Sequence, residues 1–263
     1  MMEHSMSDLV LVDNAEGIRT IRFNRSAKKN ALTRAMYSAA AEALETGEDD
    51  NSVRVYIIAG TDGVFTAGND LIDFMEHPPH VGGGDMPPVE RFMQALLNVK
   101  KPVVAAVDGL AIGIGVTMLM HCDIVYASER ATFKTPFVDL ALPPEYGSSQ
   151  VMPRMFGHVV AAELLLLGNV WNPDRAMQAG LITGVVNVES IEETARIAAR
   201  TLAAKAPGAL RAAKALMRRP ADDLRERIKI EGTMFAELLR SDEFKEAATA
   251  FMERRKPDFA KFG

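Results

Sequence analysis

The sequence predicts an α/β fold, and three observations carry that prediction. Short apolar runs at residues 53–59, 103–107 and 124–127 alternate with segments whose apolar residues recur at helical spacing. An N-terminal pair of β-type runs, residues 9–12 and 18–23, flanks the turn-forming string Asp13-Asn14-Ala15-Glu16-Gly17 and so reads as an antiparallel hairpin. Beyond about Ser148 the pattern is helical, interrupted only by a strand-like run at 185–188. Strands that alternate with helices imply right-handed crossovers and a largely parallel sheet.

Each element has a local reason. Thr33 can cap a helix whose apolar positions Met36, Ala39, Ala40, Ala43 and Leu44 fall on one face, and the buried strand 53–59 follows it. A second unit repeats the pattern: helix 89–98, strand 103–107, helix 116–121 and strand 124–127. The helical part comprises 151–156, 159–167, 173–179 with Asn172 as its cap, and 191–206. The last sixty residues are rich in Ala, Leu, Glu, Arg and Lys, with Pro207, Pro220 and Pro257 as breaks. We therefore divide the chain into a core domain, 1–200, and a C-terminal helical subdomain, 201–263, that packs on a neighbour. Residues 77–88 hold four prolines and three consecutive glycines, the composition of a mobile loop. It reads equally as a lid or as a tolerant surface insertion.

Composition narrows the function classes. A chain of 263 residues with 48% hydrophobic content can bury one large core. A net charge of −5 with 25% charged residues gives no sign of a nucleic-acid scaffold or a disordered acidic tail. The single cysteine, Cys122, excludes an intramolecular disulfide framework. Set beside Met118, Leu119 and Met120, it reads as a buried thiol rather than a nucleophile. Residues 1–7 lack the apolar run of a signal peptide, and no segment approaches the roughly 18 apolar residues of a membrane span. The expectation is a cytoplasmic protein with no membrane partner. The five histidines show no metal-ligand spacing, so no metal site is expected.

Two glycine-bearing loops stand out. Phe65-Thr66-Ala67-Gly68-Asn69-Asp70-Leu71 follows the strand at 53–59, and ligands of open α/β sheets bind at such carboxyl ends. Gly109-Leu110-Ala111-Ile112-Gly113-Ile114-Gly115 follows the strand at 103–107 and opens a helix, where backbone N–H groups carry partial positive charge. A dinucleotide fingerprint fails at its third position, which is Met118, and a Walker loop fails for want of Gly-Lys-Ser/Thr.

Taken with Lys100-Lys101-Pro102 and His121-Cys122-Asp123-Ile124, the two loops resemble the enoyl-CoA hydratase/isomerase (crotonase) superfamily. The resemblance runs from Asn24-Arg25 through Lys29-Asn30-Ala31-Leu32 to Phe251-Met252-Glu253-Arg254-Arg255-Lys256-Pro257. It implies a crotonase-like spiral of ββα turns with a C-terminal helical trimerisation region, assembled as a homotrimer or a dimer of trimers. It also implies an oxyanion hole for an acyl-CoA thioester, made by the backbone N–H groups of Asn69 and Ile114. The backbone around Ala67, Gly68, Asp70, Leu71 and Gly113 would meet the substrate. Lys28 and Lys29, clustered with Arg25, lie in the segment the family places near the nucleotide end, and Lys256 is a further candidate from the C-terminal region. Coenzyme A is then part of the substrate, and no separate cofactor is expected.

Superfamily members share this hole and differ in the acids and bases around it. Hydratases place two glutamates at positions that here hold Thr117 and Phe137, and neither side chain can move a proton from carbon or water. A carboxylate follows in Pro143-Pro144-Glu145-Tyr146-Gly147, which looks like the peroxisomal-type Δ3,Δ2-enoyl-CoA isomerase branch. There the residue matching Glu145 is the single catalytic acid and base. Tyr146 stands where that branch commonly has glycine. Phe65, Phe137, Leu142 and Pro144 are candidates for an apolar setting that raises the basicity of Glu145, while Asp139 reads as a solvent-facing acid and Asp70 as a loop organiser. Met93, Leu96, Leu97 and Phe74 are candidates for an acyl tunnel, or simply core. Two alternatives stay open: another acyl-CoA thioester enzyme such as a hydratase, and a non-catalytic acyl-CoA-binding protein of the same fold.

Overall fold

The computed structural model describes residues 9–77, 86–219, 232, 235, 237–238 and 240–262. The residues read for a signal peptide (1–7), most of the Pro/Gly-rich run 77–88 and the break at Pro220 therefore lie outside the described residues.

The N-terminal hairpin pairs β1 (Val10–Ala15) with β2 (Ile18–Phe23) in antiparallel register. Its turn is shorter than the sequence suggested. Only Glu16 and Gly17 are outside the ladder, both with positive φ (55° and 77°), as a tight two-residue hairpin turn requires. Asn14, expected in the turn, sits opposite Arg19 and accepts a hydrogen bond from its guanidinium at 2.8 Å. A cross-strand partner overrides the turn preference of asparagine.

From β2 the main sheet continues in parallel through β3 (Val55–Gly60), β4 (Val103–Val107), β6 (Ile124–Ser128) and β8 (Gly184–Val186). The central strands β3 and β4 are buried nearly throughout because both their faces are covered. Val55, Ile57 and Ala59 point to one side, with Val104 and Ala106, against Ile191, Ala195 and Ala199 of a long helix (Ile191–Ala203). Tyr56 and Ile58, with Ala105 and Val107, point to the other, into the larger core. There α1 (Arg34–Asp49) inserts Met36, Ala40 and Leu44, and α3 (Pro88–Asn98) inserts Phe92 and Leu96. Thr33 caps α1 by accepting from the Met36 N–H at 3.4 Å, and Asn172 caps the helix Pro173–Ala179 through Arg175 N–H at 2.8 Å.

A second, smaller sheet pairs β5 (Leu110–Ile112) with β7 (Thr132–Lys134) in parallel and is extended by single bridges between Thr66 and Ala111 and between Phe133 and Trp171. The chain alternates between the sheets, from β4 to β5 and then a helix, and from β6 to β7 and then a helix. This alternation makes the structure a spiral of ββα turns. Neither strand of the small sheet was expected from the sequence, since three residues bounded by Gly109 and Gly113 read as loop. Likewise the short helix α2 (Leu71–Glu76), capped by Asp70, was not foreseen. The helix expected over 191–206 stops at Ala203, because the residue before Pro207 disfavours helical backbone.

The C-terminal part is anchored to the core by charge. The helix Pro207–Arg218 buries Lys214, whose ammonium reaches Asp123 and the Lys101 carbonyl, each at 2.6 Å. Arg54 donates to the carbonyls of Phe259 and Phe262 at 3.3 and 2.9 Å. Among the described residues, no helix is long and apolar enough to cross a membrane.

Candidate active site

The small sheet brings the two glycine loops together. Thr66 donates its N–H to the Leu110 carbonyl at 2.8 Å and accepts from Ile112 N–H at 3.0 Å, so the first loop runs as an added strand beside β5. Its hydroxyl ties the same loop inward, donating to Asn30 at 2.7 Å and accepting from Gly68 N–H at 3.0 Å. Gly68 has φ 87°, and a Cβ there would stand 2.8 Å from the Ile112 carbonyl oxygen, so only glycine allows this approach. Gly113 has φ 57° and ψ −116°, a backbone region essentially closed to other residues.

These constraints fix where two N–H groups point. Leu32 pairs with the first loop by donating to the Gly68 carbonyl (2.8 Å) and accepting from Asp70 N–H (2.9 Å), which turns the Asn69 N–H away from that pairing. Ile114 is the first residue of α4 (Ile114–Thr117), so its N–H has no partner within the helix. Gly113 itself is used fully: its N–H donates to Lys134, and its carbonyl accepts from Val116 and Thr117.

Glu145 lies against the other end of α4. Thr117, wholly buried, donates its hydroxyl to Glu145 Oε1 at 2.5 Å, while Oε2 is buried without a hydrogen-bond partner. Burial pushes the carboxyl up to about 7, against a smaller lowering by the Thr117 hydrogen bond. A buried carboxyl at that value can exist in both protonation states near neutral pH.

Phe65 and Phe137 are buried as expected, whereas Leu142 is 46% exposed and cannot fully shield the carboxyl. Tyr146, the departure from the isomerase pattern, takes up left-handed backbone (φ 55°), the conformation that suits a glycine. Its ring stacks on His121 with centroids 4.1 Å apart, and its hydroxyl donates to the Met93 carbonyl at 2.8 Å.

The remaining expected residues separate by what they touch. Asp70 caps α2 through Ile72 and Asp73 N–H and forms a 2.6 Å ion pair with Arg25. Arg25 is therefore engaged within the protein rather than free for a phosphate, and it also donates to the Ala31 carbonyl. Lys28 and Lys29 are exposed, and the Lys29 carbonyl accepts from Ala67 N–H at 2.9 Å. Leu71 is exposed on α2. Asp139 faces solvent and pairs with Lys134 at 2.9 Å. Of the tunnel candidates, Leu96 is fully buried core and Leu97 is exposed, leaving Met93 and Phe74 half-buried. Cys122 is buried enough that its thiol is pushed up to about 12, the state of an inert rather than a nucleophilic cysteine.

Two neighbours of the site carry no functional signal of their own in the sequence. Tyr37 on α1 donates its hydroxyl to Asn69 Oδ1 at 2.5 Å, a contact that no feature of the sequence announces. In the sequence Thr117 stands out only for the acid it replaces. Its place two residues after the Gly113-Ile114-Gly115 triplet was the available signal.

Comparison with known proteins gives the family and the fold. The family described as Enoyl-CoA hydratase/isomerase matches residues 13–261. Rat "Enoyl-CoA delta isomerase 2" is 37% identical over 216 residues, which is 80% of this chain and 54% of that protein. The chain thus spans about half the length of that relative. The 2,3-dehydroadipyl-CoA hydratase of Escherichia coli K12 is 32% identical, covering 97% of this chain and 99% of its own length. Among solved structures, an enoyl-CoA hydratase/carnithine racemase-type protein from Magnetospirillum magneticum AMB-1 superimposes with a TM-score of 0.93 at 47% identity, over 97% of this chain and 99% of that one. The two-sheet spiral, the paired glycine loops and these matches together place the chain in the enoyl-CoA hydratase/isomerase (crotonase) superfamily.

Proposed function

We propose that this protein is an enoyl-CoA isomerase that moves the double bond of a 3-enoyl-CoA to the 2-position through a dienolate. The observation that carries this reading is the state of Glu145: a buried carboxyl pushed up to about 7, with one oxygen unpartnered and the other held by the helix whose first residue is Ile114. Isomerisation needs one group that takes a proton from C2 and returns it to C4, and a carboxyl held near neutrality does both. The negative charge rests meanwhile on the thioester oxygen, where the N–H groups of Asn69 and Ile114 would each contribute about 3 kcal/mol. Hydration needs a second acid or base. The positions where hydratases carry glutamates hold Thr117 and Phe137, the first of which serves Glu145 and the second of which is buried.

In this reading the backbone of Ala67, Gly68, Asp70 and Leu71 lines the thioester and pantetheine, with Gly113 and Phe137 at the reacting end. Exposed Lys28 and Lys29 offer charge to the coenzyme A phosphates. No separate cofactor takes part, and the assembly is a homotrimer or a dimer of trimers. Incubating the protein with 3-enoyl-CoA should yield the conjugated 2-enoyl-CoA, and Glu145→Gln should reduce turnover by about 10³-fold while keeping coenzyme A affinity. Equal turnover in the variant would refute the assignment. Water addition to 2-enoyl-CoA would favour the activity named for the E. coli relative, and binding without turnover a non-catalytic role.

A further inference from the structure

We propose that Thr117 is a positioning residue that divides the work between the two oxygens of Glu145, locking Oε1 so that Oε2 alone carries the proton from C2 to C4. The inference rests on the isomerase reading above and deepens it. Its basis is geometric. The Thr117 hydroxyl has no exposure to solvent and donates to Oε1 at 2.5 Å, while Oε2, equally buried, has no partner. A carboxylate free to spin about its last bond would interchange the two oxygens. One held through Oε1 cannot.

The lock is referenced to the oxyanion hole itself. Thr117 lies on α4, three residues after Ile114, and its own N–H donates to the Gly113 carbonyl at 3.1 Å. The single turn that presents the Ile114 N–H therefore also sets the direction of the base. At the other end, the Glu145 carbonyl accepts from the Ser148 N–H (3.0 Å) and hydroxyl (2.6 Å), which pins the main chain from which the carboxyl projects. Base and hole are thus held in one frame, as stereospecific transfer across one face of a planar dienolate demands.

The step balances within this frame. The C2–H bond breaks as Oε2 gains the proton, and the electron pair delocalises over C2, C4 and the thioester oxygen. The Oε2–H bond then breaks as C4–H forms, leaving the double bond between C2 and C3 and the carboxylate restored. The Thr117 hydrogen bond favours the charged form of Glu145, so the same contact also limits how far burial raises its basicity. Other titratable neighbours do not interfere. Burial holds the hydroxyls of Tyr37 on α1 and of Tyr146 well above their ordinary range, and it pushes His121, stacked on Tyr146, below its own.

The variants are Thr117→Val, which removes the hydroxyl at nearly constant volume, and Thr117→Ser, which restores it. Thr117→Ala is a second hydroxyl-free variant should valine disturb folding. Carbon-13 NMR of labelled glutamate carboxyls, with the resonance assigned by its loss in Glu145→Gln, follows the titration in the unliganded protein. The Glu145 midpoint should rise by about one pH unit in Thr117→Val and stay at the wild-type value in Thr117→Ser. With 3-enoyl-CoA deuterated at C2, the wild type and the serine variant should deliver label to C4. The valine variant should lose most of it to solvent, with kcat lower by roughly tenfold and KM little changed. Titration of Thr117→Val at the wild-type midpoint, or a serine variant that fails as valine does, would overturn the proposal. A wild type without isomerase activity would sink the isomerase reading, and the titration alone would then decide whether Thr117 sets the state of Glu145.

Discussion

Asp70 stands on the first glycine loop and Glu145 lies against the helix that the second one opens, and the protein treats these two carboxylates in opposite ways. Burial acts to raise both. At Asp70 it is outweighed by the hydrogen bond from Arg25, the N–H groups of Asp73 and Ile72 and the Arg25 charge, which together hold the carboxyl below its ordinary value. At Glu145 burial meets a single neutral donor, Thr117, and the carboxyl rises to about 7. The difference lies in the partners. A carboxylate with a cation and two backbone donors is committed to holding a helix start, whereas one with an oxygen left over can exchange a proton.

Both carboxylates neighbour the backbone of the glycine loops, and breaking that backbone should lower stability and activity together. In Gly113→Ala, a side chain must enter a backbone region with φ 57° and ψ −116°. Stability should fall by about 1–3 kcal/mol. As Ile114 N–H moves off its line, kcat/KM should fall by about 10²-fold. Thermal melts and steady-state kinetics on the same preparation check both, and an alanine variant with normal activity would show that this turn does not set the hole.

A smaller effect sharpens the contrast through pH. The folded protein holds the Glu145 proton more tightly than the unfolded chain does, so stability is lost as pH rises from about 4.5 to about 7. Glu145→Gln should therefore become the more stable protein relative to wild type as pH passes through that window, by up to about 3 kcal/mol. Asp70 works in the other sense. Its folded value is depressed, so its contribution is present above the unfolded value and lost as pH falls through the folded one. Asp70→Asn should cost about 1 kcal/mol at pH 7 and progressively less in acid. Denaturant midpoints across pH test the pair, and parallel curves for the two variants would erase the distinction.

The two halves of the fold differed in how well the sequence announced them. Strands such as Val103–Val107 were legible because a strand covered on both faces is apolar at every position, and Thr33 and Asn172 marked their helix starts as caps. The small sheet was not legible, since Leu110–Ile112 and Thr132–Lys134 are three residues each and gain their order from pairing with each other. The site divides the same way. Gly68 and Gly113 signalled themselves by residue type. Glu145 was visible only through the family resemblance, because nothing local to Pro143-Pro144-Glu145 says that its carboxyl will be buried. Its contact with Thr117 spans 28 residues of sequence and the Tyr37 contact with Asn69 spans 32. Such contacts are products of the tertiary fold and leave no local periodicity to read.

The most direct test of the account is the pH dependence of kcat/KM for 3-enoyl-CoA isomerisation. A base held by burial near 7 predicts activity that rises with pH through a midpoint close to that value, with the midpoint unmoved in Asp70→Asn. A midpoint near the ordinary glutamate value of about 4.5, or one that shifts when Asp70 is changed, would contradict the assignment of Glu145 as the proton carrier.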